Sequence, residues 1–204
     1  MGMIQTLGIA FGSAWVSGIN LYAMVATLGL LGRFGGLKLP GELSVATNGW
    51  VIGVAIALYC IEFVADKVPW LDSIWDVIHT LIRVPAGAIV AAAALGDFNK
   101  PVQVIAFMVG GGLALSSHGT KAATRAALNL IPEPVTNIVA SIVEDIIAIV
   151  GIFIAVFAPL LALFLLVCAV IVTALLLPLI IRVMKHSFTR VRKLLIRRPA
   201  VAGF

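Results

Sequence analysis

Charged residues are scarce in this chain of 204 residues. Lys, Arg, Asp and Glu together account for 11% of it, whereas 62% is hydrophobic and the mean hydropathy is +1.16. Seven of the fourteen Lys and Arg residues follow Ile181, so the preceding part carries still less charge. This composition excludes an ordinary soluble globular domain and predicts an all-α, polytopic membrane helix bundle.

Cysteine and the common enzyme motifs are also lacking. The two cysteines, Cys60 and Cys168, lie in apolar runs without CxxC or Cys-His spacing, so both are predicted to be core side chains rather than a disulfide or metal pair. The sequence has no GxSxG, HExxH, P-loop or dinucleotide motif. A membrane hydrolase would also need a nucleophile beside a base. These absences favour a protein that is not an enzyme and has no cofactor.

Long apolar segments divide the chain into about six transmembrane or re-entrant helices. A helix needs about 20 apolar residues to cross a bilayer. The predicted segments are residues 1–32, 48–66, 73–96, 101–129, 135–157 and 159–181. Three successive glycines, Gly110 to Gly112, predict that the fourth helix is discontinuous or re-entrant. Pro159 is the predicted break between the fifth and sixth helices.

The chain is predicted to contain one transmembrane domain, residues 1–181, followed by a basic tail, residues 182–204, without an acidic residue. The positive-inside rule places this tail in the cytoplasm. We expect the tail to bind anionic lipid head groups rather than nucleic acid. Two halves of the domain, 1–97 and 101–181, are consistent with an inverted repeat of three helices each. The sequence also allows a homo-oligomer.

Five segments each carry one stripe of polar or charged residues spaced by three or four. Such spacing places each stripe on one helix face, so the stripes can face each other inside the bundle. The stripes are Ser13-Ser17-Asn20, Glu62-Asp66, Asp72-Asp76-His79-Arg83, His118-Lys121-Arg125-Asn129 and Asn137-Ser141-Glu144. Ionisable groups inside a membrane are costly unless they pair, bind a cation or take up a proton. The stripes therefore predict a functional polar interior.

The acidic residues of these stripes form a predicted cation or proton site. They are Glu62, Asp66, Asp72, Asp76, Glu144 and Asp145. Glu62 and Glu144 are the leading pair, because two facing carboxylates can share one proton. Asp76 and His79 also match half of a carboxylate-bridged metal site, which leaves a metal open. This pattern favours a transporter or channel for a small ion, a cation or a proton.

The basic residues allow two other interpretations. They are His79, Arg83, His118, Lys121 and Arg125. His118, Lys121 and Arg125 can hold a phosphate or carboxylate, as in a transporter or flippase of an anionic lipid or solute. Alternatively, Arg83, Lys121 and Arg125 pair with the acids and only keep the helices in register, as in a non-transporting scaffold. The polar lining of the interior is predicted to be Ser17, Asn20, Asn129, Asn137 and Ser141.

Two segments of the chain resemble the DUF4126 family of uncharacterised bacterial membrane proteins. They are residues 61–72, IEFVADKVPWLD, and residues 121–145, KAATRAALNLIPEPVTNIVASIVED. The resemblance extends to about Pro159 and implies a multi-pass protein of the bacterial cytoplasmic (inner) membrane, without an established activity. Two positions differ from the family pattern: Ile131 stands where a Ser is expected, and Asn20 lies near an expected Arg.

Overall fold

The structure is a computed structural model that describes the backbone of residues 2–128 and 134–196. It also describes the side chains in these ranges, except those of residues 69–74, 76, 77, 134, 180, 181 and 183–196. Asn129 lies outside the described residues, as do the side chains of Asp72 and Asp76. Within the described ranges the chain is helical and has no β-strand, which confirms the predicted all-α class.

Six α-helices and one 3-10 helix make up the described chain. The α-helices are α1, Met3–Phe34; α2, Gly49–Ala65; α3, Pro69–Ala94; α4, Lys100–Leu128; α5, Pro134–Phe157; and α6, Pro159–Ile196. The 3-10 helix Gly41–Thr47 precedes α2 and is bent from it by 71°. Pro159 begins α6 just after α5 ends, which confirms the predicted boundary. Helix α6 continues into the basic tail as far as Ile196.

The helices of the described ranges are arranged as in a multi-pass membrane protein. Four are long and apolar enough to cross a membrane: α1, α4, Val135–Phe157 and Pro159–Leu179. The bent pair of the 3-10 helix and α2 passes the same test together, and α3 contains a shorter apolar stretch, Ile78–Ala94. Large apolar side chains point outward, whereas the bundle interior holds carboxylates and basic groups. Apolar side chains on the outside and ionisable groups in the interior are expected of a protein that is surrounded by lipid.

The two cysteines differ in their surroundings. Cys168 is half-buried on α6, but Cys60 is exposed on α2. The prediction that both are core side chains is therefore wrong for Cys60. The physical reason is the helix period: Cys60 lies two residues from the buried Glu62, on the opposite face of α2.

Helix α1 lies at the centre of the bundle and contacts each of the other five α-helices. Small residues make this central position possible. A Cβ atom on Gly18 would overlap the hydroxyl of Ser117 and the carbonyl oxygen of Ala114, both on α4. The absence of a side chain at Gly18 thus lets the backbones of α1 and α4 approach closely.

The predicted break in the fourth helix is wrong, because α4 is continuous through Gly110 to Gly112. A Cβ atom on Gly110 would lie 2.5 Å from Cβ of Ala91 and 2.7 Å from the carbonyl oxygen of Gly87. The glycine therefore permits close packing of α4 on α3 rather than a break. The discontinuity lies in α1 instead, where Asn20 has a non-helical backbone, φ −146° and ψ 99°.

Candidate functional site

Asn20 divides α1 into two half-helices and caps the second. Its backbone is extended, and its side-chain Oδ1 accepts a hydrogen bond of 2.9 Å from the N–H of Ala23. This is the geometry of an N-cap residue, whose side chain bonds to the N–H three positions later. An uninterrupted helix would use the same N–H to satisfy the carbonyl of Ile19. The break therefore frees backbone carbonyls inside the bundle.

Two basic side chains donate to these freed carbonyls. Lys121 Nζ, from α4, lies 3.4 Å from the carbonyl oxygen of Ile19. Arg83 Nη1, from α3, lies 3.4 Å from the carbonyl oxygen of Gly18. The carbonyls at the end of the first half-helix also carry the negative end of its dipole, which favours cations. The break and the two cations thus stabilise each other.

The carboxylates of α2 meet the same two cations. Glu62 Oε1 accepts from Arg83 Nη2 at 2.5 Å and lies 3.7 Å from Lys121 Nζ. Asp66 Oδ2 lies 2.8 Å from Lys121 Nζ. The step of four residues from Glu62 to Asp66 places both carboxylates on the α2 face that points into the bundle, as the stripe predicted.

Arg125 joins α4 to α2 and α5. Its Nε and Nη2 bind the two oxygens of Glu144 at 3.0 Å and 2.7 Å, a forked contact. Its Nη1 donates to the carbonyl oxygens of Asp66 and Asn137, both at 3.1 Å. Asp66 is the C-cap of α2, so this bond satisfies a carbonyl that the helix leaves unpaired. Arg125 therefore fixes the ends of two helices as well as a carboxylate.

Asp145 contacts the break from α5. Its Oδ1 accepts a hydrogen bond of 2.9 Å from Nδ2 of Asn20. The amide of Asn20 thus binds the cap N–H with its oxygen and Asp145 with its nitrogen. Asn20 was predicted only as a lining residue, but it connects the helix break to an acidic side chain.

We define the charge network as Glu62, Asp66, Arg83, Lys121, Arg125, Glu144 and Asp145. Its members are buried: the side chains of Glu62 and Arg83 have no exposed surface, and those of Asp66, Lys121 and Arg125 expose only 2 to 3%. Glu144 is more accessible, with 14% of its side chain exposed. The network contains four carboxylates and three basic groups, and a fourth base, the partly exposed Lys67, interacts electrostatically with Asp145 and Asp66.

Three carboxylate oxygens of the charge network have no hydrogen-bond donor among the described residues. They are Glu62 Oε2, Asp66 Oδ1 and Asp145 Oδ2. A buried acceptor without a donor costs about 1–3 kcal/mol, and more when it is charged. The network therefore has unused capacity for a proton or a cation.

Lys121 lies between the two carboxylates predicted to face each other. Its ammonium nitrogen is 3.7 Å from Glu62 and 3.4 Å from Glu144. The structure thus brings the predicted pair to one common site, but with a cation between them. A proton bound at this site would be shared among Glu62, Lys121 and Glu144 rather than between two carboxylates alone.

The two histidines occupy different places. His118 Nδ1 lies 3.2 Å from Arg83 Nη1, and because arginine only donates, this nitrogen accepts and Nε2–H donates to Thr80 Oγ1 at 2.7 Å. His79 lies beside the network: Nδ1 donates to the carbonyl of Trp75 at 2.8 Å, and Nε2 contacts the hydroxyl of Tyr22 at 3.0 Å. In none of these four contacts is the partner of a histidine ring a carboxylate.

The remaining predicted lining residues are buried but mostly outside the ion pairs. Ser17 Oγ donates to the carbonyl of Ala14 at 2.7 Å within α1. Asn137 and Ser141 are buried on the inner face of α5, and Ser141 Oγ has no partner among the described residues. The helical spacing of these polar residues therefore identified inward faces correctly, although it did not identify their partners.

Sequence reasoning missed Tyr22, Thr80 and the carbonyls of Gly18 and Ile19. Tyr22 lies two residues after Asn20, and Thr80 directly follows His79. Their closeness to the polar stripes in the sequence could have identified both residues. The carbonyls gave no such signal, because any backbone has them. Only an Asn inside an apolar helix hinted that a break could free them.

The described residues include no group of three or more His, Cys, Asp or Glu placed to hold a metal ion. The proposed metal half-site, Asp76 with His79, is not tested by this, since the side chain of Asp76 lies outside the described residues.

Comparison with known proteins gives one result. A family model described as a domain of unknown function, DUF4126, matches residues 7–179. Neither the curated proteins nor the solved structures include a significant match to the chain. The matched range covers α1 from residue 7, all of α2 to α5 and about half of α6, with the whole charge network, and ends before the basic tail. The chain therefore belongs to the DUF4126 family.

Proposed function

We propose that this protein is an ion transporter or channel that moves a small cation, in the simplest case a proton, through the charge network. The observation that carries the proposal is the carboxylate of Asp145, which is buried and has one oxygen, Oδ2, without a hydrogen-bond donor among the described residues. Holding an unpaired carboxylate in a low-dielectric interior costs several kcal/mol. Uptake of one positive charge removes this cost, so the site favours a cation or proton over an anion.

The helix break at Asn20 supports the same proposal. Membrane proteins tolerate non-helical backbone at membrane depth where protein or a polar cavity surrounds it. Transporters commonly use such broken helices to bind ions near the midplane. In this chain the break contacts Asp145 through Asn20, and Lys121 through the carbonyl of Ile19. A charge change at Asp145 would therefore act directly on the backbone of the central helix.

Transport of an anionic lipid or solute is less well supported. Lys121 and Arg125 are engaged by the carboxylates of α2 and α5, and Arg83 is engaged by Glu62. An incoming phosphate or carboxylate would have to displace these carboxylates and would enter a site that already holds four of them. We rank this function below cation transport.

A non-transporting scaffold is the second candidate, and the pairing itself favours it. Glu62 with Arg83, Asp66 with Lys121, and Glu144 with Arg125 join α2, α3, α4 and α5. Ion pairs of this kind can fix helix register without any transport. The scaffold differs from a transporter in one testable respect: it does not depend on the negative charge of Asp145.

We further propose the finer features of topology. The protein lies in the bacterial cytoplasmic membrane with six spans, and its basic C-terminal tail lies in the cytoplasm against anionic lipid. The two halves, α1 to α3 and α4 to α6, form an inverted repeat. The repeat is supported by Glu62 and Glu144, which lie on the middle helix of each half and both contact Lys121.

Asp145→Asn is the decisive variant for the proposed function. Asparagine keeps an oxygen that accepts from Asn20, so the fold should remain, whereas the charge is lost. The purified protein would be placed in proteoliposomes, and uptake of protons, Na⁺ or K⁺ would be followed under an imposed gradient. We expect wild-type uptake that Asp145→Asn reduces to the rate of empty liposomes.

Glu42→Gln is the matched control, because Glu42 is exposed in the 3-10 helix and takes no part in the network. It should transport as the wild type does, and thermal unfolding should show both variants to be folded. A wild-type protein without flux, or an Asp145→Asn variant with full flux, would contradict cation transport through this site and leave the scaffold as the better interpretation.

A further inference from the structure

We infer that α1 is a re-entrant hairpin, with both of its ends on one surface of the membrane and the basic tail on the other. The inference rests on the proposed membrane location but not on transport. It refines the six spans of the proposed topology to five crossings, by α2 to α6, and one segment that enters and leaves at the same surface. The hairpin turns at Asn20, whose extended backbone separates a first half-helix, residues 3–19, from a second, residues 21–34.

The first half-helix runs antiparallel to α3. Near its end, the carbonyl oxygen of Gly18 lies 3.4 Å from Arg83 Nη1. One turn earlier in α1 and one turn later in α3, an added Cβ on Gly87 would lie 3.1 Å from the carbonyl oxygen of Ala14. Because the contacts advance along α3 as they go back along α1, the beginning of α1 lies beside the end of α3.

The second half-helix runs antiparallel to α2. Its beginning adjoins the charge network, which includes the C-cap residue of α2. Further along, an added Cβ on Gly29 would lie 2.7 Å from Cγ1 of Ile52. At its end, Arg33 Nη1 lies 3.3 Å from the carbonyl oxygen of Thr47, just before α2 begins. The second half-helix therefore runs from the level at which α2 ends to the level at which α2 begins.

Leu39, in the connection that follows α1, lies near both ends of the helix. An added Cβ on Gly32 would be 3.4 Å from Leu39 Cδ1. Leu39 also lines a cavity of 450 Å³ together with Met3 and Thr6. An uninterrupted helix would hold Thr6 and Gly32 about 39 Å apart, which one side chain and one small cavity cannot join. The helix therefore folds back at Asn20.

The lengths and the burial of the two half-helices suit a re-entrant segment. They are about 26 Å and about 21 Å long, and each is shorter than the bilayer core of about 30 Å. Non-helical backbone at membrane depth is tolerated where protein surrounds it. The apolar stretch of α1 meets this condition, since 67% of it is buried, compared with 28% in α4 and 11% in α6. The other helices thus enclose the hairpin.

The remaining helices alternate between the two surfaces. The connection from α3 to α4 lies at the surface that holds the ends of α1, because Phe98 lines the same cavity as Met3. Helix α5 also ends there, since Gln5 Nε2 donates to the carbonyl oxygen of Val156 at 3.4 Å. Helix α6 begins at the same surface with Pro159 and runs toward the tail. Five crossings by α2 to α6 therefore place the tail opposite Met3.

Cysteine labelling in cells tests this topology. In a background with Cys60→Ala and Cys168→Ala, single cysteines would be placed at both ends of α1 and in the tail, as Met3→Cys, Lys38→Cys and Ser187→Cys. Met3 and Lys38 are exposed. Spheroplasts of a bacterium that expresses each variant would be treated with a membrane-impermeant maleimide, before and after permeabilisation of the membrane.

We expect Met3→Cys and Lys38→Cys to be labelled in intact spheroplasts, and labelling of Ser187→Cys to be lost unless the membrane is permeabilised. Any result that places Met3 on the same side as Ser187 would overturn the hairpin, because a straight α1 followed by the same five crossings gives that result. The reverse pattern, with only Ser187→Cys labelled in intact spheroplasts, would support the hairpin and reject the proposed cytoplasmic tail. Ion uptake is not measured, so failure of transport leaves this test unaffected.

A chemical cross-link tests the hairpin without reference to orientation. In the same background, Met3→Cys with Lys38→Cys places two thiols in the wall of one cavity. The matched control is Met3→Cys with Lys67→Cys, because Lys67 follows the end of α2 and is partly exposed. We expect a short bis-maleimide to join the first pair, detected as linked tryptic peptides by mass spectrometry, and the linked product to be absent from the control. Linkage of the control pair alone would overturn the hairpin.

Discussion

Helices α1 and α4 are both long and apolar, and both contain residues that weaken a helix, yet only α1 is broken. In α1 other hydrogen bonds replace those lost at the break. The side chain of Asn20 accepts from the N–H of Ala23, and Lys121 donates to the carbonyl of Ile19. In α4 a Cβ atom on Gly112 would meet nothing within 4 Å. A break there would leave backbone groups facing lipid, so the helix stays intact.

The contrast teaches that low helix propensity does not by itself break a membrane helix. The break requires other groups that satisfy the freed N–H and C=O groups, and only the interior of the bundle supplies them. The variants below disturb the partners of the break in α1 or the glycines of α4, and they are ordered by the expected effect on the free energy of unfolding.

Arg83→Leu should have the largest effect. It removes the donor to the Gly18 carbonyl and leaves Glu62 without its principal counter-ion, which costs about 3–5 kcal/mol for a buried pair. Unfolding by dodecyl sulfate in mixed micelles would measure it. Lys38→Leu, at an exposed position, should change stability by less than about 0.5 kcal/mol. Equal effects of the two changes would mean that the Arg83 contacts do not support the break.

Asn20→Ala should cost about 2–4 kcal/mol, because it removes an N-cap and also deprives Asp145 of a buried donor. Asn48→Ala is a well-matched control. Asn48 caps α2 by accepting from Trp50 N, but it is exposed, so its loss should cost only about 1 kcal/mol. The same micelle assay compares them, and a double-mutant cycle with Asp145→Asn should attribute the difference to the Asp145 contact.

Gly110→Ala should destabilise the protein by about 1–3 kcal/mol, although alanine favours helix more than glycine does. The added Cβ would be 2.5 Å from Cβ of Ala91, so α3 and α4 must move apart. Unfolding midpoints of the purified variant would measure the loss. A gain in stability would contradict the close packing of α3 against Gly110.

Gly112→Ala should have the smallest effect and the opposite sign. Nothing lies within 4 Å of the added Cβ, so only the helix propensity changes, which favours alanine by up to about 1 kcal/mol. Stabilisation by Gly112→Ala together with destabilisation by Gly110→Ala would confirm that α4 is a continuous helix in the membrane. Loss of stability at Gly112 would instead indicate a break there.

Much of the fold was predictable because hydropathy and helical period are local properties of the chain. The apolar runs predicted the membrane class, Pro159 predicted the boundary between α5 and α6, and the stripes at Glu62-Asp66 and Lys121-Arg125 predicted inward faces. The pairing of a basic residue with a particular acid was not predictable, since the sequence offered several partners for Arg83 and for Arg125.

Local periodicity thus decides which side chains point inward, because a helix repeats every 3.6 residues whatever surrounds it. Packing between helices decides the rest. It puts Lys121 between Glu62 and Glu144, keeps α4 continuous through its glycines, and breaks α1 at Asn20. The physical reason is that a buried charge or a freed carbonyl is stable only beside its partner, and that partner comes from a helix distant in sequence.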